Sequence, residues 1–144
     1  MSVAGSTLVV LLFWSLLACS HAGDAAYGRG MDLYRAKHYA EAAIELEQAA
    51  NAGHVHGMGM IATMLLKGQG VARDAAQAAI WFEQAATLGN VESQSIVGLL
   101  YFNGIGVPHD ASKGRIWLTK AAGNGDKQSA WVLQNLAERG ALRL

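Results

Sequence analysis

The chain has 144 residues, room for one compact domain or for a few stacked repeats behind a leader, and it carries 11 basic against 11 acidic side chains. A formal charge of zero leaves no basic stripe to neutralise phosphates, so no nucleic-acid partner is expected. One cysteine, Cys19, cannot build an internal disulfide framework.

Residues 1–23 contain no Asp, Glu, Lys or Arg and read as a leader. The apolar run from Leu8 to Ala18 has the length of a signal-peptide core and is short for a membrane span. Two exits follow it. Ser20-His21-Ala22 offers a small-x-small cleavage site before Gly23, whereas Leu16-Leu17-Ala18-Cys19 resembles the lipobox of bacterial lipoproteins. Acylation accounts for a lone thiol at this place, so Cys19 is the candidate lipidation residue. An exported, periplasmic protein is expected, touching a membrane only through the leader or a lipid anchor and, if lipidated, held at the outer membrane.

Residues 24–53 form the first unit. Ala26, Gly30, Leu33 and Tyr34 recur at helical spacing, and a second helical run from Tyr39 places Ala42, Ala43, Leu46, Ala49 and Ala50 inward before Gly53. Residues 54–89 form the second unit, with a first helix over Val55 to Lys67 (Met58, Ile61, Ala62 and Leu65 inward). Its second helix covers Ala75 to Leu88, with Ala79, Ile80, Phe82 and Ala86 available for packing. Between them, Gly68 suits a left-handed helix stop, Gly70 a further turn, Val71 a plug between the helices, and Asp74 an N-cap. Residues 90–125 repeat this pattern without a gap: at a period of 36, 11 positions are identical, among them the glycines, Val71/Val107, Asp74/Asp110 and Trp81/Trp117. Gly114 and Arg115 replace Ala78 and Ala79, which predicts a weaker second helix here. Residues 126–144 supply one more first helix, with Ala130, Leu133, Leu136 and Ala137 inward, read as a cap on the last apolar face.

A fixed period of this length is the mark of a stacked repeat. The string from Leu100 to Asp110, followed by Ile116-Trp117 and Lys120-Ala-Ala-x-x-Gly125, resembles the Sel1-like repeat, a relative of the tetratricopeptide repeat with a longer loop. Residues 27–53 are closer to the plain tetratricopeptide form. The chain departs from the pattern at Gly57 and Ser93, where Ala is usual, and at Gln134, where Gly would stand, so looser packing is expected there. The resemblance implies an all-α fold: a right-handed α-solenoid of antiparallel helix pairs, about three repeats plus a C-terminal capping helix, with a concave face that binds proteins or peptides.

Chemistry is sparse. His54 and His56 lie two apart, a spacing that does not share a helical face, and no third ligand stands near them in sequence, so no metal is expected and His54 reads as a solvated helix-terminus residue. Neither Ser-x-x-Lys nor Gly-x-Ser-x-Gly occurs, and Gly68-Gln-Gly70 is not followed by the Lys-Ser/Thr of a phosphate loop. Trp81 and Trp117, as periodic positions, read as core rather than as a stacking platform. The expected function is therefore a non-catalytic adaptor or assembly factor of the bacterial envelope, without cofactor, binding a protein or peptide. Arg29, Asp32, Lys67, Glu92 and Asn103 are its candidate contacts. The alternative is an envelope enzyme acting on peptidoglycan or a β-lactam. Metabolic labelling with a palmitate analogue checks the leader: label is expected on the wild type and none on Cys19→Ala, and label surviving the substitution would rule out acylation there.

Overall fold

The computed structural model describes residues 21–138 and Gly140; Cys19 and the apolar run before it lie outside the described residues. Helix α1 covers 21–35, and six more follow: α2 (Tyr39–Asn51), α3 (Val55–Lys67), α4 (Ala75–Thr87), α5 (Val91–Asn103), α6 (Ala111–Gly123) and α7 (Lys127–Glu138). No strand occurs among the described residues. Each helix packs on the next, giving a right-handed solenoid of antiparallel pairs closed by α7. The first helix starts before Asp24: residues 21–23 are already helical, and Gly23 lies buried against Ala52 and His54.

Within each pair a large side chain of the second helix seats on a small residue of the first. Leu46, Phe82 and Leu118 occupy equivalent places 36 residues apart and are all but inaccessible. A Cβ added to Gly30 would come within 2.7 Å of Leu46, and one added to Gly98 within 2.6 Å of Leu118. In the middle pair Phe82 shares its core with Ala62. Alanines fill most of the remaining contact, including Ala42, Ala49, Ala78, Ala85 and Ala121, each fully buried. Small side chains let helix axes approach, which gains dispersion contact across the whole seam.

Two of the expected weak points, Gly57 and Ser93, are close-packed, while Gln134 is exposed and bonds to Glu138. A Cβ on Gly57 would lie 2.9 Å from that of Ala49, so glycine is what lets α3 pack on α2. Ser93 is buried as well. A Cβ added to Gly114 would fall 2.8 Å from the Gly98 carbonyl oxygen and 2.6 Å from the Phe102 ring, so its cost in helix propensity is offset by the approach of α5 and α6. Ile80 is a correction: it is half exposed, because the buried line of α4 runs through Ala78, Ala79, Phe82, Ala85 and Ala86. Ala130 and Ala137 are likewise exposed, Leu133 and Leu136 only half-buried, and the buried residue of α7 is Ser129. Trp81 and Trp117 are half-buried at the edges of the core.

The loops repeat as closely as the helices. Gly68 and Gly104 end α3 and α5 in the left-handed conformation, and the Asp74 and Asp110 amides return to the carbonyls of Leu65 and Tyr101. Val71 and Val107 pack against the cores as plugs. Gly70 and Gly106 do more than turn the chain. Each has a φ of +71°, and an added Cβ would fall 2.3 Å from the Tyr39 carbonyl and 2.0 Å from that of Ala75. The loop of each repeat therefore rests on the first turn of the preceding repeat's second helix. The first unit has no such loop, and Lys37, at φ 65°, makes its turn instead. Asp74 and Asp110 then cap α4 and α6 by accepting from Gln77 N and Lys113 N, each at 2.9 Å.

Gly106→Ala should destabilise the fold by about 2–4 kcal/mol, combining left-handed strain with a backbone clash. Gly123→Ala, at a helical position with open space around it, should stabilise by up to ~1 kcal/mol. Urea titration of the two variants checks the contrast, and equal effects would contradict the loop's packing role.

Candidate partner-binding groove

The first helices α1, α3, α5 and α7 share one face, and two clefts run along it. The first, about 100 Å³, lies between α1, α3 and α5, with Tyr27, His56, Met60, Thr63 and Ile96 among its lining residues. The second, about 460 Å³ and more open, lies between α5 and α7 and includes Ser95, Leu99 and Gln128. Glu92 and Ile96, one turn apart on α5, line both and form the wall the two clefts share along this grooved face. Its surface mixes apolar Met60, Ile96 and Leu99 with hydroxyl, amide and carboxylate groups. Gly59 keeps the first cleft open: a Cβ there would meet only Ser93 Oγ, at 3.5 Å.

Two polar ties fix the groove's geometry. Gln94, fully buried on α5, donates from Nε2 to the Ala86 carbonyl at 3.1 Å and accepts from Asn124 Nδ2 at 2.9 Å. Ser129 Oγ donates to Ser95 Oγ at 2.9 Å, joining α7 to α5. Asp126 caps α7 by accepting from Ser129 N at 2.8 Å, and hydrogen bonding to Ser129, by its side chain first and its backbone amide second, holds the carboxyl below the usual range.

The rim at α1 and α3 is aromatic. His54 is not solvated as its sequence position suggests: its ring stacks on Tyr27 at 4.2 Å between centroids. Its Nδ1 accepts from Gly57 N at 3.0 Å, capping α3, and Nε2 lies 3.5 Å from Asp24. Because His54 is a cap with extended backbone, the two-residue spacing does not separate it from His56, and the rings approach to 6.0 Å. No group of three or more His, Cys, Asp or Glu able to hold a metal occurs among the described residues.

Of the residues expected to contact a partner, the groove takes in Glu92. Arg29 pairs with Glu45 of α2 at 2.7 Å, and Asp32 with Arg35 at 2.9 Å. Lys67 is exposed at the end of α3, and Asn103 turns its amide back to the Leu99 carbonyl. Tyr27, Met60, Thr63 and Ile96 carry no sequence signal, since which face of a helix lines a groove follows from how pairs stack.

One polar cluster has the look of chemistry. Tyr101 donates to Glu83 Oε1 at 2.5 Å and accepts from Lys113 Nζ at 2.6 Å, linking α4, α5 and α6. Burial and the Glu83 carboxylate push the Tyr101 hydroxyl up, and its hydrogen bond to Lys113 pushes that ammonium up. Both stay protonated near neutrality, which suits a cross-tie and is wrong for a general base.

Helix pairs stacked on small-residue seams, with a groove along the first helices, define an α-solenoid repeat scaffold. A family model described as the Sel1 repeat matches residues 55–90 and again 91–126, and the chain belongs to that family. Among solved structures it is similar to a protective antigen of uropathogenic Escherichia coli strains displaying an SLR fold (TM-score 0.79, 32% identity) over 82% of this chain. It spans 26% of that protein's length. It is also similar to a Sel1 repeat protein from Oxalobacter formigenes, over 85% of this chain and 97% of the other (TM-score 0.74, 27% identity). Cysteine rich protein B of Helicobacter pylori shares the fold at 20% identity and TM-score 0.61, over 64% of this chain and 69% of that one. No curated protein matches the chain. Sel1 repeat proteins are generally protein-interaction modules and generally non-catalytic.

The cap at His54 makes a pH dependence. Burial, the largest influence, lowers the imidazole pKa, His56 acts in the same sense, and Asp24 opposes it. The neutral ring is favoured in the fold, so its stabilisation is present above the ordinary histidine pKa of about 6.5 and lost as pH falls through the lower folded value. Thermal melts should show the wild type losing more stability than His54→Asn between about pH 7.5 and about pH 5, since asparagine caps the equivalent α5 without titrating. Equal losses would contradict this role.

Proposed function

We propose that the chain is a non-catalytic adaptor or assembly module of the bacterial cell envelope that binds an extended segment of a partner protein in the groove along its first helices. The observation that carries this reading is the pair of clefts along the first helices, with Glu92 and Ile96 as their shared wall. A strip of apolar side chains flanked by hydroxyl, amide and carboxylate groups fits a peptide that buries alternate side chains and leaves its backbone polar groups to the rim. Glu92 is the candidate anchor for a basic residue of the partner; Arg29, Asp32, Lys67 and Asn103 stand at the ends and edges of the first helices as secondary contacts. Envelope location is supported by the apolar leader, and the lone Cys19 supports anchoring by a lipid.

Crosslinking in envelope extract tests the groove. A partner recovered with the wild type should be lost with Gly59→Leu, which fills the cleft from a helical position where an added Cβ meets only Ser93 Oγ and no backbone. The variant should keep or slightly raise its melting temperature, because leucine favours a helix over glycine by roughly 0.8 kcal/mol. Unchanged recovery would count against the groove as the binding site.

A further inference from the structure

Three isoleucines stand at equivalent places on the second helices of successive repeats: Ile44 on α2, Ile80 on α4 and Ile116 on α6, 36 residues apart. They are 58%, 49% and 67% exposed. One exposed isoleucine is ordinary; three in register on neighbouring parallel helices form an apolar line across the face opposite the groove. Beside that line an apolar cleft of about 550 Å³ opens between α4 and α6, walled by Ile80, Leu88 and Trp117.

The charges along this line are graded. Glu41 and Glu47 stand one helical turn to either side of Ile44, and Lys113 and Lys120 one turn to either side of Ile116. Over their whole lengths α2 carries Glu41, Glu45 and Glu47 with no basic residue, and α6 carries Lys113, Arg115 and Lys120 with no acidic one.

We propose that this face is a self-association surface, on which two copies of the chain pair about a two-fold axis running along α4. That operation sets α2 of one copy against α6 of the other with the same chain direction. Ile44 then meets Ile116 of the second copy, and Ile80 meets its own symmetry mate. Glu41 faces Lys113 of the second copy and Glu47 faces Lys120, and the symmetry makes each pair twice. A two-fold perpendicular to the helices would set acidic α2 on α2 and basic α6 on α6, so like-charge repulsion selects between the two arrangements. Glu83, one turn along α4 from Ile80, is engaged by Tyr101 and Lys113 of its own chain and does not face its mate as a free carboxylate. Lys113 remains about half exposed and keeps donors for a second carboxylate. Zero net charge adds no long-range repulsion between copies.

Sedimentation equilibrium of the full chain tests the arrangement. The wild type should show a concentration-dependent dimer, and Ile80→Glu should raise its dissociation constant about tenfold or more. Glu47→Lys and Lys120→Glu, both at exposed positions, should each weaken the homodimer. Mixing those two variants should restore association, because every contact between the two copies is then again of opposite sign. Circular dichroism verifies that each variant is folded. A wild type that stays monomeric would overturn the proposal, and so would a mixture no tighter than either variant alone.

Discussion

The fold depends on a seat and its occupant: a large side chain on the second helix of each pair lowered onto a position of the first helix that has no side chain, or only a methyl. Leu46 on Gly30, Phe82 beside Ala62 and Leu118 on Gly98 are one interaction made three times. It brings backbones together, and the alanine-rich seams follow because nothing larger would fit between helices at that separation. The interaction also sets what the loops must do. Once two pairs are this close, the connection between α3 and α4 has to run over the start of α2, and the Gly70 backbone passes where any side chain would collide with Tyr39.

The two long faces of the solenoid inherit different chemistry from this arrangement. First helices are flanked on both sides by neighbours and leave narrow clefts with little charge, of which Glu92 is the carboxylate shared by both. Second helices lie outside and are graded in charge, acidic on α2 and basic on α6. A peptide-sized ligand suits the first surface. A broad partner suits the second, because a flat apolar line with graded charge offers area and polarity but no enclosure.

The sequence made the architecture legible to an unusual degree, because a repeat states each structural role more than once. The inward residues of α2 agree with expectation one for one, and the loops, caps and plugs recur at the predicted positions. What stayed hidden depends on relations between helices. Gly114 reads as a poor helix residue until its carbonyl-distance contact with Gly98 is seen. Ile80 reads as available for packing because it is apolar and periodic, yet a buried line that already holds Phe82 leaves the position two residues earlier facing outward, as Leu118 does with Ile116. Tyr27 and Ile96, which line the groove, have no pattern of their own, since groove membership is a property of the stack. His54 and His56 were separated by a helical rule that does not hold for a cap.

Gln94 carries a consequence for how the molecule comes apart. Repeat arrays held by nearest-neighbour contact alone tend to fray from their ends, one unit at a time. Here one buried amide spans α4, α5 and the turn before α7, and a Ser95–Ser129 hydroxyl pair lies beside it. Peeling away α7 would leave the buried Ser95 hydroxyl without Ser129, and loosening the turn before it would take Asn124 from Gln94, each a penalty comparable to a lost hydrogen bond. The C-terminal half is thereby coupled into one cooperative block.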